Sequence, residues 1–150
     1  MFILVRQIRH HPKIRVVQET EQPRTLLVVD ASFDLGNALA VAAIEHGWDP
    51  FLAGNSEAAL SILPGLLGEV LVLVDLGSAV SRGLALVLTL RRNPPPPGVR
   101  VVVMTSGQPI PEAVRRSPFV VGAVRRPRHP SEAAALMAVL LGGAGLAPQV

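Results

Sequence analysis

Five short apolar runs punctuate the chain, and each is followed by a segment of helical character. Thr25–Val29 ends at Asp30, Val70–Val74 ends at Asp75, and Val99–Met104 ends at Thr105. Trp48–Leu52 and Phe119–Val124 are the other two runs. Apolar residues in unbroken succession, rather than in alternation, predict strands buried on both faces. Between them the spacing becomes helical. From Asp34 to His46, Leu35, Leu39 and Ala42 share one face, and Gly47 stops the helix. Asn55 or Ser56 caps a helix running to Leu63, which Pro64-Gly65 ends. A helix from about Ser81 to Arg92 turns Leu84, Val87 and Leu88 inward, and its closing Arg91-Arg92 pair suits the helix dipole. Pro94–Pro97 makes a rigid connector, and a short, weak helix falls within Pro109–Ser117. Ser131 caps a final helix with Leu136, Val139 and Leu140 inward. The prediction is an α/β domain over residues 25–142, with a mainly parallel five-stranded sheet and helices on both faces.

The two ends differ from this core. Residues 1–24 contain β-prone Phe2–Val5 and Ile14–Val17 around His10-His11-Pro12, followed by a polar linker. That composition suits a basic arm, whether hairpin, extra edge strand or disordered segment. Residues 143–150 are Gly-rich at their start and predict a flexible tail. The arm is too short to stand as a domain of its own.

Composition narrows the function classes. The 150 residues are 49% hydrophobic but only 3% aromatic, so the core is aliphatic. No cysteine is present, which removes disulfides and thiolate metal sites. No apolar run reaches the roughly 18–20 residues that span a bilayer, and Met1–Val5 lacks the flanks of a signal peptide. A cytoplasmic location is the expectation. The net charge of +3 is unevenly spread. Arg6, Arg9, Lys13, Arg15 and Arg24 outnumber Glu19 and Glu21 in the arm, residues 25–90 carry seven acids and one Arg, and residues 91–150 carry eight Arg and two Glu. Such asymmetry can steer a partner or reflect an ordinary solvated surface. One Lys and few aromatics argue against a nucleic-acid surface. The four histidines lack metal-site spacing, no phosphate-binding Gly-Lys-Ser/Thr loop is present, and Gly142-Gly143-Ala144-Gly145 does not open a helix after a strand.

The chemistry gathers at the strand ends. Ligands of open parallel sheets bind beyond the carboxyl ends of the strands. Asp30, Asp75, Thr105 with Ser106, and Arg125 with Arg126 all fall there. Two carboxylates, a hydroxyl and a cation suit a hard divalent cation and a phosphoryl group. Arg126 can also simply pair with Asp75 and close the site.

Leu-Leu-Val-Val-Asp (26–30), Leu-Val-Leu-Val-Asp-Leu (71–76), Gly83, Val-Val-Met-Thr-Ser (102–106) and Arg-Pro (126–127) occur in order. Together they make residues 25–142 resemble the receiver domain of bacterial two-component response regulators. The resemblance implies a flavodoxin-like strand order, 2-1-3-4-5. It implies Asp75 as phosphoacceptor for a histidine kinase, with Asp30, Asp75 and the Gly77 backbone carbonyl as Mg²⁺ ligands, Thr105 as switch hydroxyl and Arg126 in the place of the family's Lys. This sequence departs from the pattern at four points. The second of two adjacent acids is Ala31, which weakens Mg²⁺ binding; the Lys is Arg126; the switch aromatic is Ala123; and Ser78-Ala79 follows the central Asp in place of Met-Pro. The function read from these residues is a receiver domain in phosphorelay signalling. The alternatives are a phosphate-independent pseudo-receiver that binds a signalling protein, and a module whose basic arm mediates homodimer formation or contact with an acidic partner.

Overall fold

A computed structural model describes residues 23–30, 32–77 and 80–142. The proposed arm, apart from Pro23 and Arg24, and the tail from 143 lie outside them, as do Ala31, Ser78 and Ala79. The strands are β1 (Arg24–Val29), β2 (Asp49–Ala53), β3 (Glu69–Asp75), β4 (Val99–Thr105) and β5 (Val120–Arg125). The helices are α1 (Phe33–Glu45), α2 (Ser56–Ile62), α3 (Val80–Arg92), α4 (Glu112–Arg115) and α5 (Ala133–Leu141). The five strands form one sheet in the order β2-β1-β3-β4-β5, and every pairing is parallel. The expected α/β architecture and strand order are therefore those observed.

Unbroken apolar strands make sense in this sheet because both faces are covered. Successive side chains point to opposite faces. Leu27, Val29, Val70, Val72, Val74, Val101 and Val103 pack with α2, α3 and α4. Leu26, Val28, Leu71, Leu73, Val102 and Met104 pack with α1 and α5 on the other face. Leu71, Val72, Leu73 and Val74 of central β3 are fully buried.

Local signals explain three helix ends. Ser32 caps α1, its hydroxyl accepting the Leu35 N–H, and Asn55 caps α2 by accepting the Ala58 N–H at 2.8 Å. After α1, Gly47 takes φ +82°, a left-handed conformation that glycine adopts without steric cost. Trp48, expected to open β2, instead donates its backbone N–H to Ala43 and lies in the connection between α1 and β2.

Helix phase departs from expectation at two places. In α5, Ala133, Met137, Leu140 and Leu141 are buried, while Val139, expected inward, is 67% exposed. Ser131 does not cap this helix; it lies in a 3-10 turn, Pro130–Glu132, and α5 starts at Ala133. In α3, Leu86, Val87 and Leu90 are buried, and Leu84 and Leu88 only half so. Every residue of α5 is apolar, so it carries no polar face to mark its phase, and contacts with the sheet set it. For α3 the contact with the sheet is Gly83. A Cβ there would fall 2.7 Å from the Asp75 carbonyl oxygen, so glycine alone lets the helix approach β3 this closely.

Candidate functional site

The parallel register brings four of the expected residues to one edge. Asp75 is the last residue of β3 and lies opposite Met104, while Thr105 closes β4 opposite Arg125. Asp30 follows β1, held by its N–H donating to Ala53 of β2 at 3.0 Å. Arg126 follows β5, and its N–H donates to the Thr105 carbonyl at 2.7 Å. Chain positions 30, 75, 105 and 126 are thus gathered by sheet hydrogen bonds alone.

Arg126 bridges the two acids. Its Nη2 donates to Asp30 Oδ1 at 3.1 Å, and its Nε stands 3.3 Å from Asp30 Oδ2 and 3.2 Å from Asp75 Oδ2. The Asp30 side chain is 1% exposed and that of Asp75 17%. Asp30 Oδ1 also accepts the Ser32 N–H at 2.7 Å, which turns the chain toward the start of α1. A planar guanidinium presents several donors in a fixed fork, so it can serve two carboxylates at once where an ammonium is a single point charge.

Burial raises the Asp75 carboxyl above its ordinary value near 3.8, and the Asp30 charge pushes it the same way; Arg126 opposes both. Burial lowers Arg126, but its hydrogen bonds to Asp30 and the two carboxylate charges outweigh this and hold it above its ordinary value. It remains a cation under all ordinary conditions. A carboxyl raised on folding contributes stability that is present at acid pH and is lost as pH rises through its folded value. Asp75→Asn is therefore expected to raise the urea midpoint at neutral pH. Its advantage over wild type shrinks to nothing as the pH falls below about 3.8. Urea unfolding at a series of pH values checks this, and a variant less stable than wild type at neutral pH would contradict it.

The Mg²⁺ ligands implied by sequence do not fit a metal in this arrangement. Both Asp30 oxygens and Asp75 Oδ2 are engaged by Arg126. The Gly77 carbonyl accepts from Gln108 Nε2, and Gln108 Oε1 accepts the Ser106 N–H. Asp75 Oδ1 is the exception, buried and, among the described residues, without a hydrogen-bond partner. One carboxylate oxygen is not the several-oxygen shell that a hard cation requires. Gly77 itself is constrained by the site: φ is +31°, and a Cβ would meet Asp75 Oδ1 at 2.8 Å. Gln108 was not expected. It lies three residues beyond Thr105 in a Ser-Gly-Gln-Pro turn, and no spacing rule marks it as a clasp between two loops. Ala123, in the place of the switch aromatic, is half-buried on β5 opposite Val103.

No family model matches the chain, and no curated protein matches it. Solved structures do. A CheY-like response regulator receiver domain from Methanospirillum hungatei JF-1 superimposes with a TM-score of 0.62 at 16% identity, covering 79% of this chain and 94% of that one. Chemotaxis protein CheY4 of Vibrio cholerae gives 0.60 at 16% identity, covering 77% and 96%. The N-terminal domain of a response regulator receiver protein from Methanoculleus marisnigri JR1 gives 0.59 at 23% identity, covering 77% and 95%. With its 2-1-3-4-5 parallel sheet and its acids at the carboxyl edge, the chain has the fold of response-regulator receiver domains.

Proposed function

We propose that this chain is a receiver-type signalling module that engages a protein partner without being phosphorylated. The observation that carries this reading is the Arg126 bridge between Asp30 and Asp75. An attacking carboxylate brings negative charge toward phosphoryl oxygens, and a cation must offset that charge. Here the cation is built into the chain and spends its donors on the acids themselves. With the second acid replaced by Ala31 and the Gly77 carbonyl taken by Gln108, the acid pair acts as a structural lock. The partner is a signalling protein, and the receiver surface rather than Asp75 meets it.

A second reading keeps Asp75 as the phosphoacceptor of a histidine kinase. It is favoured by the position of Asp75 at the sheet's carboxyl edge and by its unpartnered Oδ1. On that reading Arg126 swings away, Asp30, Asp75 and the Gly77 carbonyl hold Mg²⁺, and Thr105 contacts the phosphoryl oxygens.

Incubation with acetyl phosphate at high Mg²⁺, followed by intact-mass spectrometry, separates the two. The lock predicts unmodified protein for wild type and for Asp75→Asn alike. A phosphoryl group added to wild type and absent from Asp75→Asn establishes the second reading and overturns the first.

A further inference from the structure

Four consecutive prolines, Pro94–Pro97, join α3 to β4. They lie at the amino end of the sheet, the length of β4 from the Asp75 edge, roughly 20 Å. The Pro96 carbonyl accepts the Val99 N–H at 3.0 Å, so the turn into β4 is centred on Pro97 and Gly98. That turn makes no demand for proline at 94, 95 or 96. Asn93, Pro94, Pro95 and Pro96 each precede a proline, which keeps them out of the helical region, and each ring fixes its own φ near about −65°. Pro94–Pro96 thus make one turn of polyproline II helix, at about three residues per turn. Exposure follows that period: Pro95 is half-buried, while Pro94, Pro96 and Pro97 are exposed.

Both ends of this strap are held. The Asn93 N–H donates to the Thr89 carbonyl of α3, and the Val70 N–H donates to the Gly98 carbonyl, each at 3.0 Å. A Cβ on Gly98 would fall 2.8 Å from the Gly68 carbonyl oxygen, so the far end sits tight against the chain entering β3. A polyproline II segment makes no hydrogen bonds within itself, which leaves its carbonyls and its proline ridge for a partner. Held in this conformation beforehand, it loses little freedom on docking.

Charge defines the partner further. Arg91 and Arg92 close α3 just before the strap, both exposed and neither in an ion pair among the described residues. Arg91 leans on α4, its Nη1 donating to the Ala113 carbonyl at 3.4 Å. There Glu112 is shared by Arg115 and Arg116. On the end of α3 and the neighbouring α4, four guanidinium groups therefore meet one carboxylate. A nucleic acid would use the arginines and gain nothing from the prolines. A protein groove lined by aromatic rings takes proline rings between them, and acids beside it meet the arginines.

We infer that Pro94–Pro97, with Arg91 and Arg92, is a docking strap for a protein domain whose aromatic-lined groove is bordered by acidic residues. This names the partner class of the signalling module proposed above and rests on that reading for the need of a partner, but it uses neither Asp75 nor Arg126. The test titrates the full-length, isotope-labelled chain with a proline-recognition domain of the SH3 type that carries such acids, read by amide NMR shifts. Arg92, Asn93, Gly98 and Val99 should shift, with a Kd below about 1 mM, while Ala53, Asp75 and Thr105 stay in place. Pro94→Ala/Pro96→Ala should weaken binding at least ~10-fold and Arg91→Gln/Arg92→Gln at least ~5-fold, the same spectra showing that each variant is folded. No shift at about 1 mM of the domain, or binding that survives Pro94→Ala/Pro96→Ala, overturns the inference. So do shifts at Arg91 and Arg92 produced by a single-stranded oligonucleotide and not by the domain, which would assign the patch to nucleic acid. Failure here leaves the acetyl phosphate result standing, and a phosphorylated wild type that still docks through the strap removes the lock alone.

Discussion

Arg126→Ala is expected to destabilise the fold by about 3–5 kcal/mol, because it leaves two neighbouring acids without their shared cation. Asp30 cannot escape to water, with its side chain 1% exposed and tied to the start of α1 through Ser32. Asp75 is freer at 17% exposure, but the Asp30 charge already raises its carboxyl. At a urea slope of about 2 kcal/mol/M, the loss lowers the unfolding midpoint by about 2 M. Arg126→Met separates charge from packing, since it keeps most of the aliphatic stem, and should cost nearly as much as Arg126→Ala. Adding Asp75→Asn to Arg126→Ala should recover part of the loss by removing the like-charge term, a coupling that a double-mutant cycle isolates. A loss below about 1 kcal/mol for Arg126→Ala, the range of exposed ion pairs, would mean that the bridge is not what neutralises these acids.

The second large effect is expected at Gly83. A Cβ would fall 2.7 Å from the Asp75 carbonyl oxygen, 2.8 Å from Leu76 Cδ2 and 3.0 Å from Val74 Cγ1. None of these neighbours can yield easily: one is backbone in the central strand, and Leu76 and Val74 are 1% and 0% exposed. Gly83→Val should therefore cost about 3 kcal/mol through overpacking. Gly83→Ala should cost less, about 1–2 kcal/mol, since alanine regains roughly 1 kcal/mol of helix propensity. Thermal and urea unfolding of both variants check the order. An alanine variant more stable than wild type would show that α3 tolerates a shift away from β3. Because the clash is with Asp75 itself, Gly83→Val should also weaken the Arg126–Asp75 contact and so lessen any further loss from Arg126→Met in a double variant.

Much of the site is legible in the amino-acid sequence. Asp30, Asp75, Thr105 and Arg126 each terminate or follow an apolar run, and a parallel sheet must bring such ends to one edge. The possibility that Arg126 pairs with Asp75 could be read as well, from a long cation in the place of the family's Lys. Asp30 as the more closely held partner could not. Which acid the guanidinium favours depends on the splay between β1 and β5, two strands that are not neighbours. Gln108 was invisible for a related reason: its side-chain amide donates to the Gly77 carbonyl, joining the loop after β4 to the loop after β3 across 31 positions of chain.

The sequence by itself determined the layering of this protein. Unbroken Val/Leu runs allow no solvent-facing side to the strands, so helices must cover both, and Gly47 and Asn55 mark helix ends through backbone conformation and a local cap. Tertiary structure alone decided the phase of α5, whose apolar residues surround the helix and leave any face eligible for burial. It alone decided that Val139 faces out and Met137 in. It also decided the chemistry at the sheet edge. Carboxylates and a guanidinium have no preference encoded in their spacing, and their pairing is fixed only when three strand ends are held within hydrogen-bond reach of one another.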